Sequence, residues 1–212
     1  MNRKYHEKFA VIPTACFIAG LLLVLGCLEA GTASAVCEGE NCERTTAARE
    51  GYPGFGTGVG NIIEPLEFVD IDGEPYNLRS VYQDGRNQVL LITTSAGWCT
   101  ACIEEQSALE SLYGDYNERG VEIIVAVFQK GDYSAADANF AKQWKRRYEL
   151  SYPVVADPSF VMQDYYPGRD TSVTPIMLVI DVQSMTILER FVGYDDIVMR
   201  ALIDDLLTRS SE

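Results

Sequence analysis

Two cysteines separated by two residues, Cys99 and Cys102, sit between two regular patterns, and that placement constrains this chain more than any other feature. Ahead of them, residues 88–94 contain Val89-Leu90-Leu91-Ile92, the short unbroken apolar run of a strand buried on both faces. Behind them, from residue 99 to about residue 118, Ile103, Ala108, Leu109, Leu112, Tyr113 and Tyr116 recur at steps of three and four, which gives a helix with one buried stripe. Gly120 ends that pattern. A strand that turns directly into a helix sets the first cysteine at the helix N-terminus. There, two intervening residues on a first turn let the sulfurs approach disulfide distance. Free N–H groups and the positive end of the helix dipole stabilise a thiolate, bringing its pKa from about 8.5 into roughly the 3.5–7.5 range. Cys99 is the expected nucleophile, and Cys102, one turn inward, the expected resolving thiol. Trp98 is expected to shield and shape the site, and Gly97 to let the chain turn sharply.

Other uses of the pair are weaker. A zinc site needs two more ligands, and the candidates, Cys37 and Cys42, have a loose spacing. His6 is the single histidine, so a His-based zinc site or a Ser-His-Asp triad is set aside. No metal and no cofactor is expected. A passive disulfide is the plain alternative; it would make the domain a tethered binding module. With 17 basic against 31 acidic residues the formal charge is −14, which argues against a nucleic-acid partner, because phosphate contacts need clustered Lys and Arg. The glycines of residues 51–60 resemble a phosphate loop only superficially, since no strand precedes them and no helix follows, so no nucleotide is expected.

The rest of the body alternates strands and helices. Residues 66–71 alternate apolar and polar side chains before Asp72-Gly73 and read as an edge strand. Tyr76, Leu78 and Val81 suggest a short strand and a helical turn, and residues 121–128 a second buried strand. Residues 134–149 have helical spacing, with Ala138, Ala141, Trp144 and Tyr148 on one face; Trp144 reads as core and Lys145-Arg146-Arg147 as a solvated face. Tyr152-Pro153-Val154-Val155 is extended and leads to a helix-start turn at Asp157-Pro158. Residues 176–181 and 185–192 form a hairpin, and Asp195 is expected to cap a last helix that turns Ile197, Val198, Ala201, Leu202 and Leu206 inward. A β-α-β crossover implies parallel pairing and the hairpin adds antiparallel strands, so the fold class is α/β with a central mixed sheet flanked by helices.

The first 27 residues read as a targeting segment: Arg3, Lys4 and Lys8 precede an apolar run over residues 9–28. Val24-Leu25-Gly26-Cys27 resembles a lipobox, in which Cys27 would be lipidated; Ala33-Ser34-Ala35 offers a competing cleavage site, and an uncleaved anchor is the third reading. Each places the remainder outside the cytoplasm. Cleavage before Cys27 leaves 14 basic and 30 acidic residues, a charge of −16, and no histidine. Residues 28–60 are small, polar and glycine-rich and read as a flexible tether. Within it, Cys37 and Cys42 suit a local disulfide, with a second redox relay or unpaired and intermolecular thiols as alternatives. Residues 61–209 make up the folded domain.

The segment Ser95-Ala96-Gly97-Trp98-Cys99-Thr100-Ala101-Cys102 resembles the active site of the thioredoxin superfamily. The wider pattern is similar to its redoxin branch (AhpC/TSA-like), which includes exported, membrane-anchored thiol–disulfide oxidoreductases of the cytochrome-maturation type and borders the peroxiredoxins. The resemblance implies a three-layer thioredoxin-like fold. Val173-Thr174-Pro175-Ile176 matches the superfamily's proline loop, which implies a cis Pro175 facing the dithiol and a substrate-binding role for Thr174, Pro175 and Trp98. Thioredoxin has a buried aspartate six residues before its first cysteine, where this chain has Thr93. Exported relatives often carry a glutamate three residues after the second cysteine, which implies Glu105 as proton acceptor for Cys102. The implied activity is exchange of the Cys99–Cys102 dithiol with protein thiols and disulfides outside the cytoplasm, as a reductant held to the membrane by the N-terminal anchor. A peroxiredoxin-like thiol peroxidase is the alternative enzyme. It requires a Thr or Ser three residues before its cysteine, where this chain has Ala96, with Ser95 one residue out of register.

Overall fold

The computed structural model describes residues 55–209. The expected targeting segment 1–27, Cys27, the Ala33-Ser34-Ala35 site and the Cys37–Cys42 pair lie outside the described residues.

Seven strands, β1 (Glu67–Val69), β2 (Pro75–Asn77), β3 (Val89–Ala96), β4 (Val121–Gln129), β5 (Val154–Ala156), β6 (Ile176–Asp181) and β7 (Thr186–Val192), form one sheet in the order β2-β1-β5-β4-β3-β6-β7. The helices are α1 (Arg79–Gln83), α2 (Thr100–Glu104), α3 (Gln106–Tyr116), α4 (Ala138–Arg147) and α5 (Asp196–Arg209). β3 pairs in parallel with β4 and antiparallel with β6, and every one of its residues is buried. That mixed centre is what the combination of crossover and hairpin demands.

Strand alternation sorts the sheet into two cores. Val89 and Leu91 of β3 join Ile123, Val125 and Val127 of β4 against Leu109, Leu112, Trp144, Met199 and Ile203 of the helices. Leu90 and Ile92 join Ile124 and Ala126 against Leu78, Val81 and Tyr82 near α1, and against Met162, Tyr165 and Tyr166 on short 3-10 turns. Each fully buried Leu or Ile contributes about 1.5–3 kcal/mol of transfer free energy, which anchors β3 from both sides.

Four expectations need correction. The segment around residues 66–71 is not an edge: β1 lies between β2 and β5, and the three-residue β2 forms the margin. The first long helix breaks at Glu105, where the side-chain amide of Gln106 donates to the Cys102 carbonyl at 2.6 Å and takes the acceptor that a continuing helix would give its backbone N–H. The second begins at Ala138, because Asp137 caps it by accepting from the Phe140 N–H at 2.8 Å. In α5 the inward stripe is Met199, Ile203 and Leu207 at steps of four; Ile197 is 82% exposed, Val198 and Ala201 are also exposed, and Leu202 and Leu206 flank the stripe. Asp195 does cap this helix, accepting from the Val198 N–H at 3.0 Å.

Residues 55–60, placed by composition in the tether, pair with the end of the sheet. Gly60 donates to the Ile187 carbonyl at 2.8 Å and Gly56 to that of Ile62 at 3.1 Å. Gly60 has φ +87°, a left-handed turn that a side chain would strain.

Candidate active site

β3 ends at Ala96, and three residues later Cys99 opens α2. Cys99 is extended (φ −87°, ψ 103°) and acts as the cap: its sulfur accepts from the Cys102 backbone N–H at 3.1 Å. A disulfide joins Cys99 to Cys102 with Cα atoms 5.3 Å apart. Cys102 is fully buried and Cys99 is 4% exposed, so Cys102 is the deeper of the two. Ala96, Phe128, Trp98 and Phe160 pack around the pair. The Trp98 indole N–H donates to Gln129 at 3.0 Å, which fixes the ring at the C-terminal end of β4.

The opposite wall is the loop before β6, where the Thr174–Pro175 peptide is cis. The carbonyl oxygen of Thr174 lies 3.8 Å from the Cys99 sulfur. A chain of hydroxyls holds this loop from behind. Thr94 Oγ1 and Tyr166 OH are 2.6 Å apart, and Tyr166 OH and Thr174 Oγ1 are 2.8 Å apart. Its ends set its direction. The Ile176 N–H can only donate, to Thr94 Oγ1 at 3.1 Å, and the Thr171 carbonyl can only accept, from Thr174 Oγ1 at 2.9 Å. Thr94 therefore donates to Tyr166 and Tyr166 to Thr174, a one-way chain of the kind in which each bond polarises the next.

On the other face of β3, Thr93 Oγ1 donates to Glu105 Oε1 at 3.2 Å, while Oε2 has no hydrogen-bond partner. Burial pushes the Glu105 carboxyl up to about 8, against the hydrogen bond from Thr93, which pulls it down. The acid therefore sits one helical turn beyond Cys102 and is neutral at moderately acidic pH. Gln106, next in sequence, is a buried hub: besides holding the Cys102 carbonyl, its Oε1 accepts from the Trp144 indole and the Tyr152 hydroxyl, each at 3.1 Å.

The structure thus brings Trp98, Cys99, Cys102, Thr174 and Pro175 to one place, while Glu105, three residues after Cys102, is buried and bonded to Thr93. Thr94, Tyr166 and Gln106 were missed by the sequence reading. Three consecutive hydroxyl residues, Thr93-Thr94-Ser95, in an otherwise apolar buried strand were the signal for the first. Gln106, four residues after Cys102, was legible only as a helix position.

The AhpC/TSA family profile matches residues 59–188, more than half of the chain. A curated relative, the thiol-disulfide oxidoreductase ResA of Halalkalibacterium halodurans, is 30% identical over 105 residues, covering 50% of this chain and 54% of that protein. The chain therefore spans about half the length of the curated relatives it matches. Among solved structures, a secreted thiol-disulfide isomerase from Corynebacterium glutamicum superposes with a TM-score of 0.56 at 19% identity, covering 70% of this chain and 86% of that one. The thioredoxin domain of a thiol-disulfide oxidoreductase from Bacteroides vulgatus gives 0.55 at 13% identity, with 70% and 99% covered. These likenesses establish the thioredoxin-like fold.

Proposed function

Since this chain belongs to the AhpC/TSA family, we propose that it is a thiol–disulfide oxidoreductase acting on protein substrates, with the Cys99–Cys102 couple as its redox centre. The observation that carries this reading is the Cys99 sulfur, capped by a backbone N–H on one side and facing the Thr174 carbonyl before a cis proline on the other. A carbonyl in that position offers a strand-like partner to the backbone of a bound substrate.

In the reductive direction the Cys99 thiolate attacks one sulfur of a substrate disulfide, and the other sulfur leaves as a thiolate. Cys102 then loses its proton to Glu105 or water and attacks Cys99. The protein disulfide forms, two electrons have passed to the substrate, and the substrate departs as a dithiol. The deeper burial of Cys102, against 4% exposure for Cys99, supports that order of the two sulfurs. A carboxylate whose burial holds its proton affinity near 8 accepts a thiol proton more readily than an ordinary glutamate.

The same proposal takes residues 1–27 as an export signal with Cys27 as a lipidation site, residues 28–54 as a tether and residues 55–209 as the thioredoxin-like domain, since residues 55–60 bond to the sheet. The basic start and the apolar run support it, as does the secreted relative in Corynebacterium glutamicum. Among the described residues no helix is long and apolar enough to cross a membrane, so anchoring would fall to the N-terminal segment.

Reduction of insulin in the presence of dithiothreitol tests the activity. Wild-type protein is expected to accelerate precipitation of the insulin B chain and Cys99→Ser to leave only the background rate. Equal rates for the two proteins would refute it.

A further inference from the structure

Beside Trp98 the surface opens into a cavity of about 200 Å3, lined by Gly97, Gly131, Phe140, Trp144 and Arg147 among others. Neither glycine carries a side chain into the opening, and they touch each other: a Cβ on Gly97 would stand 2.5 Å from the Gly131 nitrogen. A wider hollow of about 390 Å3 continues it along Gln143, Arg146 and Arg147. Trp98, next to Gly97 in the chain and packed against the cysteine pair, has an aromatic partner. Tyr133 stacks on Trp98 with centroids 5.7 Å apart, yet is 66% exposed and has φ 67°, a left-handed conformation unusual for a side-chain-bearing residue. An exposed ring held over the active-site tryptophan by a strained loop serves a surface and not a core.

The far end is basic, in a chain of net charge −14. The cations of α4 have separate uses. Lys142 pairs with Asp72 at 2.9 Å, and Lys145 closes the helix end by donating to the carbonyls of Ser151 and Tyr152 at 3.2 and 2.7 Å. Arg146 and Arg147 make no ion pair among the described residues. Arg147 lies over the Tyr148 ring at 5.5 Å, a contact that leaves its N–H edge open to a carboxylate.

We propose that this face, from Trp98 and Tyr133 across Gly97 to Arg146 and Arg147, binds the flank of the substrate, and that the preferred substrate is an extended segment with an acidic side chain about three to five residues from its reactive cysteine, a specificity that rests on Cys99 exchanging with protein disulfides. The spacing follows from reach. Gly97 is two residues from Cys99, at most about 8 Å along the chain, and the cavity of about 200 Å3, taken as a sphere, adds roughly 7 Å. An extended peptide advances about 3.3 Å per residue.

Two synthetic peptide disulfides test it, identical except for glutamate or lysine four residues from one cysteine, with the full chain as catalyst and dithiothreitol as reductant. Wild type is expected to favour the glutamate peptide by about three- to tenfold in kcat/KM, the effect of two solvent-exposed charge pairs, carried by KM and diminished by salt. The charge reversal R146E/R147E is expected to abolish or invert that ratio, and R146K/R147K to retain part of it. A ratio of one in wild type, or an unchanged ratio in R146E/R147E, overturns the proposal while leaving exchange intact. If wild type reduces neither peptide, and insulin is also untouched, the exchange reading itself falls and takes this one with it. Because the readout is a ratio within each variant, loss of folded protein does not imitate it.

Discussion

Thr93 donates a 3.2 Å hydrogen bond to Glu105, a carboxyl that is 6% exposed and whose second oxygen has no partner. The bond joins the middle of β3 to the junction of α2 and α3. It supports the charged form of an acid that burial otherwise opposes, and burial wins: the proton affinity rises from 4.5 to about 8.

A pH dependence of stability follows. Between pH 4.5 and about 8 the folded protein keeps a proton on Glu105 that the unfolded chain releases. Stability is therefore greatest, with respect to this group, below 4.5, and falls as pH rises towards 8, by at most about 5 kcal/mol at about 1.4 kcal/mol per pH unit. Glu105→Gln lacks the slope. Urea midpoints of the two proteins at pH 5 and pH 9 are expected to diverge, with the variant the more stable at pH 9. Parallel curves would contradict the buried acid.

The same substitution bears on the second chemical step. Release of substrate from the Cys99 mixed disulfide should accelerate through a pH near 8 in wild type and lose that inflection in Glu105→Gln. Stopped-flow measurement of product thiol reads it directly.

Removal of the buried sulfur stops the cycle halfway. Cys102→Ser is expected to accumulate a mixed disulfide between Cys99 and substrate, visible as an added mass under non-reducing conditions, and Cys99→Ser to form none. A trapped adduct on Cys102 would reverse the assignment of the two thiols.

How far the sequence led depends on what kind of information each element carries. β3 and β4 were legible because burial on both faces leaves an unbroken apolar run, and Cys99 because its spacing to Cys102 and its place before a helix are local. The face of α5 was misread because Ile197 and Val198 are apolar yet solvent-exposed; composition alone cannot tell a decorated surface from an inward stripe. β1 is read as an edge because the short strand expected at Tyr76 does not reveal its partner from sequence; the three-residue β2 pairs outside β1 and takes the margin. Tyr166 was out of reach for another reason: it lies 72 residues from Thr94, and only the closing of the sheet brings their hydroxyls together.

Tyr166→Phe tests that closing. The ring keeps its edge contact with Phe160, centroids 5.6 Å apart, and loses only the hydroxyl between Thr94 and Thr174. The buried Thr94 hydroxyl and the half-buried Thr174 hydroxyl each lose a partner, so the expected cost is about 1–3 kcal/mol in a urea titration. A looser Thr174 carbonyl should also raise KM for protein substrates more than it lowers kcat.

Gly97→Ala probes the contact with Gly131. The added methyl meets backbone on the other side, at 2.5 Å from the Gly131 nitrogen and 2.8 Å from the Lys130 carbonyl carbon, so no side chain can yield. Overpacking of this kind costs about 1–3 kcal/mol. The displaced loop carries Tyr133 with it, and a changed Trp98 emission spectrum would report the loss of the stack.

Thr93 and Thr94 are neighbours in the chain and point to opposite sides of one strand, the first to the buried acid Glu105 and the second to the loop whose Thr174 carbonyl faces Cys99. On the proposed mechanism, a change at the Thr93 codon would retune proton supply while the Thr94 codon keeps partner docking as it was, so a lineage could adjust how fast its catalyst turns over without altering what it recognises.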